Sequence, residues 1–213
     1  MSRPRVLIAD DHVLVMEGLR KILEAECEIV GAVEDGRSLL KVALELKPDI
    51  VLLDISMPLL NGVEAARVLV KTVPSAKLIF VTMHADATYV TGAFRAGASG
   101  YVLKRCASKE LVLAIREVLK GRTYITPLIR KDMVGDVPGS AVRAKDAVGE
   151  LTGRQREVVQ LVAEGHSVKE IAAILHVSGK TVAFHKSNVS QRLGIRTTAQ
   201  LTKYAIEHGI VGT

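Results

Sequence analysis

The sequence predicts a doubly wound α/β domain on a five-stranded parallel sheet, followed by a second, smaller all-α domain of four helices. Three observations carry that expectation. Through the first 120 residues, short apolar runs alternate with amphipathic stretches of helical period, the pattern of a parallel sheet with helices on both faces. From residue 151 onward only helical periods remain. Between the two, residues 121–148 contain Pro127 and Pro138 and no sustained apolar period, as an interdomain linker does.

In chain order, Arg5 to Ala9 reads as a first buried strand ending at Asp10-Asp11. An amphipathic helix follows, with Leu14, Leu19, Ile22 and Leu23 expected inward. Glu28 to Val33 is a second strand and Gly36 to Lys47 a second helix, with Leu39, Leu40, Ala43 and Leu44 as its apolar side. Ile50-Val51-Leu52-Leu53 is a third strand, apolar throughout and so buried on both faces. Val63 to Lys71 is a helix, and Lys77 to Val81 a fourth strand ending at Thr82. Ala87 to Arg95 is a helix stopped at Gly97, and Ser99 to Leu103 a fifth strand ending at Lys104. Ser108 is expected to cap the helix Lys109 to Lys120. A short helical piece near Leu128 to Met133 is compatible with the linker.

Composition narrows the function classes. The chain of 213 residues is 48% hydrophobic and 24% charged, an ordinary soluble balance. No apolar run approaches the ~18 residues of a membrane span, and the apolar run after Arg5 is too short for a signal peptide. A cytoplasmic protein without membrane association is expected. Cys27 and Cys106 are the only cysteines and stand far from metal-ligand spacing, so both are expected to stay reduced. The formal net charge is +6, most of it after residue 120. Ser178 to Arg196 holds Lys180, Lys186, Arg192 and Arg196 and no acid. Such a stripe suits nucleic acid, although a solvated helix face gives the same pattern.

The polar residues that end the strands define a candidate site. Asp10, Asp11, Asp54, Thr82 and Lys104 all fall at C-terminal strand ends, the edge where open α/β sheets bind ligands. Three clustered carboxylates repel unless a cation neutralises them. Hard oxygen donors of this kind suit Mg²⁺, which binds one or two carboxylates together with phosphate. Phosphoryl transfer needs its equatorial charge neutralised around an in-line nucleophile. Asp54, at the exit of the most buried strand, is therefore the candidate phosphate acceptor. A turn-capping role is the plainer alternative for any one such Asp.

Ile8-Ala9-Asp10-Asp11-His12, Leu53-Asp54-Ile55-Ser56-Met57-Pro58, Val81-Thr82 and Gly100-Tyr101-Val102-Leu103-Lys104 together resemble the receiver domain of two-component response regulators, over residues 3–120. The resemblance implies a flavodoxin-like fold in which Asp54 is phosphorylated by a sensor histidine kinase. It implies direct Mg²⁺ ligation by Asp11, Asp54 and the Ser56 backbone carbonyl, with Asp10 acting through water. Lys104 would pair with the phosphoryl group. Thr82 and Tyr101 would form a switch pair, the hydroxyl moving toward the phosphate and the ring turning inward. Read from the strand pattern alone, Tyr101 keeps its hydroxyl at the surface.

In residues 149–213, Thr152 with Gln155 forms a capping box for a helix carrying Val158, Val159, Leu161 and Val162. Ser167 caps a second helix with Ile171, Ala172, Ile174 and Leu175. A third runs from Gly179 to Leu193 and ends at Gly194, and a fourth starts at Thr197. A short helix, a tight turn and a longer basic helix suit a helix-turn-helix, although other helix pairs share that spacing. At 100° per residue, Val182, Val189 and Leu193 face the core, while Lys180, Phe184, Ser187, Asn188 and Gln191 lie opposite. Phe184 is not needed for packing there; it suits thymine methyls in a major groove, or a protein neighbour. Lys180 and Thr181 suit phosphates or guanine.

Glu170-Ile171-Ala172, Val177-Ser178-Gly179-Lys180-Thr181-Val182, His185-Lys186 and Leu193-Gly194 resemble the LuxR-type DNA-binding domain. With the receiver, the whole chain resembles a NarL/FixJ-family response regulator. That resemblance implies groove contacts at Ala183, Phe184 and Ser187 and backbone contacts at Lys169, Lys180, Lys186 and Arg192. Ala183 and Ser187 are smaller than the polar or basic residues frequent at those positions. The expectation is a regulator, not an enzyme, that binds double-stranded promoter DNA as a homodimer when phosphorylated. The rivals are a regulator that works without phosphate and an aspartate-nucleophile phosphohydrolase. The second would want an acid two residues after Asp54, where Ser56 stands.

Overall fold

The structure, a computed structural model, describes residues 3–132 and 151–212, which fall into two compact units. The first holds a six-stranded parallel sheet: β1 (Arg5–Ala9), β2 (Glu28–Val33), β3 (Ile50–Leu53), β4 (Lys77–Thr82), β5 (Gly100–Leu103) and β6 (Tyr124–Ile125), in the order β2-β1-β3-β4-β5-β6. Its helices are α1 (Val13–Leu23), α2 (Gly36–Leu46), α3 (Gly62–Thr72), α4 (Ala87–Arg95), α5 (Ala107–Leu119) and α6 (Pro127–Asp132). Successive strand residues point to opposite faces. Val6, Ile8, Ile50, Leu52, Ile79, Val81 and Val102 therefore share one face, where they meet Met16, Leu19 and Leu23 of α1 and Leu111, Ala114, Ile115 and Val118 of α5. β3 is buried at every residue, as its unbroken apolar run requires.

Register puts the site together. Ala9 of β1 pairs with Leu53 of β3, so the next residues, Asp10 and Asp54, leave the sheet side by side. Thr82 pairs with Leu103, which sets the end of β4 beside Lys104. The strand order reverses direction between β1 and β3, the switch point where doubly wound sheets open a crevice.

Four expectations are corrected. The sheet has six strands rather than five, because Tyr124–Ile125 adds to the edge of β5 from within the stretch expected to be linker. Two residues are too few to show a strand period, which is why the sequence hides them. Leu14 and Leu44 are not core residues; they are 88% and 55% exposed. Each stands five positions before or after a buried leucine (Leu19, Leu39), about 140° around the helix. Ser108 is not a cap. A 3-10 turn, Lys104–Cys106, leads straight into α5, whose first residue is Ala107. The remainder of the expected linker, residues 133–148, lies outside the described residues, as do 149–150.

The second unit holds α7 (Gly153–Ala163), α8 (Val168–Leu175), α9 (Gly179–Leu193) and α10 (Thr198–Glu207). Thr152 and Ser167 both close capping boxes, with Gln155 and Glu170. Val158, Val159, Leu161, Ile171, Leu175, Val182, Val189, Leu201 and Ala205 form its core. His176 ends α8 at a φ of 52°, and Ser178 then caps α9 by accepting from the Thr181 N–H. Among the described residues no helix is long and apolar enough to cross a membrane.

Candidate functional site

Asp10, Asp54 and Lys104 form the centre of the sheet's C-terminal edge. The Lys104 ammonium lies 2.7 Å from Asp10 Oδ2 and 2.7 Å from Asp54 Oδ2. Asp54 Oδ1 accepts the Ile55 N–H at 2.6 Å, and Asp10 Oδ1 accepts the His12 N–H at 3.0 Å. Both carboxylates are almost fully buried, which costs free energy unless a cation compensates. Burial raises the Asp10 pKa, against the pull of Lys104 and the His12 N–H. For Lys104, burial works to lower the pKa, but the charges and hydrogen bonds of Asp54 and Asp10 prevail and raise it, so it stays an ammonium.

Asp11 sits at the rim, where its Oδ1 is 2.8 Å from His12 Nδ1. Ligand atoms of Asp10, Asp11, His12 and Asp54 lie within 4.8 Å of one another. Three carboxylates at this spacing are a fitting donor set for a hard divalent cation such as Mg²⁺.

The β4 end completes the edge. Thr82 is fully buried, and its Oγ1 accepts the His84 N–H at 3.4 Å. Tyr101 is buried with its ring inward, and its hydroxyl donates to the His84 carbonyl at 2.9 Å. The strand pattern pointed to a surface hydroxyl; the phenol instead finds a backbone acceptor inside. Burial, reinforced by the Asp54 charge, lifts its pKa far above the ordinary phenol range. The Ser56 hydroxyl is 3.0 Å from His84 Nε2, and the His84 ring stacks on Tyr89 with centroids 4.1 Å apart. Sequence reasoning missed His84. Its only signal was a position two residues past a strand-ending Thr, which any loop residue shares.

In the second unit, α9 buries Val182 and Val189 and leaves Lys180, Ala183, Phe184, Ser187 and Arg192 exposed, with Lys186 half-buried. Phe184 is 62% exposed. Its ring meets the His185 ring edge-on at 5.8 Å. Lys169 on α8 is exposed as well. The Thr181 hydroxyl is 2.9 Å from Ser178 Oγ, so the cap engages it.

Known proteins match along the same two units. The family described as response regulator receiver domain matches residues 6–116, and that described as bacterial regulatory proteins, luxR family, matches residues 149–205. The transcriptional regulatory protein MctR of Rhizobium johnstonii is 35% identical over 209 residues, 97% of this chain and 95% of that protein. The transcriptional regulatory protein DegU of Brevibacillus brevis is 34% identical, covering 99% of this chain and 96% of its own length. The solved complex of the two-component response regulator RcsB with DNA is 28% identical, with a TM-score of 0.58 over 95% of this chain and 98% of that one.

Proposed function

This chain belongs to the NarL/FixJ family of response regulators and is a phosphorylation-controlled transcription regulator; from that premise we propose that Asp54 is its phosphate acceptor. One observation carries the proposal: Asp54 and Asp10 share the Lys104 ammonium at 2.7 Å, inside a cluster of three carboxylates. Asp10, Asp11, Asp54 and the Ser56 carbonyl would hold Mg²⁺, which supplies charge neutralisation to the incoming phosphoryl group. The Lys104 ammonium and the Thr82 hydroxyl are the chain's own contacts to that group, and Tyr101 is the partner of Thr82 in the switch. The donor is a sensor histidine kinase.

Residues 3–120 would serve as the phosphoacceptor domain and 149–213 as the DNA-binding domain, acting in the cytoplasm without catalysing turnover of a substrate. The ligand of the second domain is double-stranded promoter DNA, bound by a homodimer formed on phosphorylation. Lys169, Lys180, Lys186 and Arg192 would meet phosphates, with Thr181 near the helix start, and Ala183, Phe184 and Ser187 would face bases.

The test is labelling with acetyl phosphate and Mg²⁺, followed by mapping of the acid-resistant, base-labile adduct. Label on Asp54 that disappears in Asp54→Asn is expected. Label on Asp10 or Asp11, or undiminished label in Asp54→Asn, would overturn the assignment.

A further inference from the structure

Thr126 directly follows the edge strand β6 and is fully buried, and its three polar groups make four hydrogen bonds. Its N–H donates to the Tyr101 carbonyl at 2.9 Å and its carbonyl accepts the Ile129 N–H of α6 at 3.0 Å. Its hydroxyl accepts the Leu103 N–H at 3.1 Å and donates to Glu110 Oε2 on α5 at 2.8 Å. That carboxylate also accepts the Tyr124 hydroxyl at 3.1 Å. The chemistry at Leu103 is unusual for a sheet. A strand N–H here would ordinarily meet a backbone carbonyl of the neighbouring strand. β6 stops at Ile125, and the Thr126 carbonyl has turned into α6, so the side-chain hydroxyl takes the place of the next rung.

We propose that Thr126 is a positioning residue for the phosphoryl site: its hydroxyl holds the last residue of β5, and through it Tyr101 and Lys104, in place. Leu103 immediately precedes Lys104, whose ammonium must reach two buried carboxylates, both at 2.7 Å. Tyr101 is tied to the same residue through its carbonyl. Losing the hydroxyl leaves the Leu103 N–H buried and unpaired, a state that backbones avoid by shifting. The residue displaced first by such a shift is Lys104. The Glu110 carboxylate orients the hydroxyl, leaving its lone pairs to Leu103.

This rests on the assignment of Asp54 and Lys104 above, and the test separates the two. The full chain is phosphorylated with acetyl phosphate and Mg²⁺, and affinity for beryllofluoride is measured alongside. Thr126→Val keeps the shape and removes the hydroxyl; phosphorylation should slow on the order of tenfold, as for a contacting group slightly misplaced, and beryllofluoride should bind more weakly. Thr126→Ser should restore both. Tyr124→Phe, which leaves the Leu103 bond intact, should behave like the parent. In a Lys104→Ala background Thr126→Val should add little, because residues acting through one another are non-additive. If Thr126→Val does not fold, Glu110→Ala is measured in its place, with a loss of about threefold expected from a hydroxyl no longer oriented. Parent-like rates in the variant measured, equal losses in Tyr124→Phe, or full additivity with Lys104→Ala would overturn the proposal. Label that never depended on Asp54 would instead overturn the phosphoacceptor assignment.

Discussion

The Tyr101 hydroxyl donates a 2.9 Å hydrogen bond to the backbone carbonyl of His84, which ties the inward ring to the loop that follows Thr82. The ring and the hydroxyl of the proposed switch pair are thus linked through one residue, since the His84 N–H donates to Thr82 Oγ1. Tyr101→Phe keeps the ring and loses the bond, and should cost about 0.5–1.5 kcal/mol in chemical denaturation. Because burial raises the phenol's pKa above its ordinary 10.0, the folded state keeps a proton that the unfolded state releases. Stability from this residue is therefore whole below pH 10 and declines as pH rises beyond it. Ultraviolet titration should show one tyrosine of the parent ionising only on alkaline unfolding, and Tyr101→Phe should lack that step.

Lys104→Met removes the ammonium and leaves Asp10 and Asp54 buried without their shared cation. Breaking a buried pair in this way costs about 3–5 kcal/mol. If Mg²⁺ is held by the same carboxylates, as proposed, it should raise the melting temperature of Lys104→Met by more than it raises the parent's. Equal shifts, measured by thermal denaturation with Mg²⁺ and with chelator, would show that the cation binds elsewhere.

Gly62 opens α3 directly against the exit of β3. Its N–H donates to the Ile55 carbonyl at 2.8 Å, and a Cβ at this position would stand 1.9 Å from the Asp54 carbonyl oxygen. That obstacle is backbone, which cannot rotate away as a side chain can. Gly62→Ala should destabilise the chain by about 1–3 kcal/mol, as overpacking does, and should slow acetyl phosphate labelling by displacing Asp54. A variant that denatures and labels like the parent would remove Gly62 from the account of the site.

Lys180 and Phe184 should separate affinity from specificity. Lys180→Ala removes the proposed phosphate contact, so binding should weaken about equally on all sequences, with the salt slope reduced by about one unit. Phe184→Ala should leave the slope alone and reduce discrimination between selected and scrambled duplexes by on the order of 1 kcal/mol. An ammonium releases counterions on meeting phosphate; a benzyl ring does not. Titrations at several salt concentrations decide it, and a Phe184→Ala chain that reads DNA normally but dimerises less would assign the ring to a protein interface.

What the sequence determined by itself follows from its short-range chemistry. Asp10, Asp54, Thr82 and Lys104 each follow an apolar run at once, Asp11 follows Asp10, and in a parallel sheet all strand ends share one edge, so their convergence could be read along the chain. The helical unit was equally legible, because Thr152, Ser167, Thr197 and Gly194 act on backbone groups three or four residues away. The tertiary structure alone decided what depends on neighbours distant in the chain. Tyr124–Ile125 became a strand because β5 offered it an edge, and Thr126 became a clamp because Leu103, 23 residues earlier, lacked an acceptor. Tyr101 turned inward because the His84 carbonyl satisfies its hydroxyl there. Leu14 and Leu44 stayed outside because a leucine's apolarity does not say which side of a helix meets the sheet. Periodicity is local and can be read along one chain, whereas a hydrogen-bond partner is set by which strand or loop packs alongside.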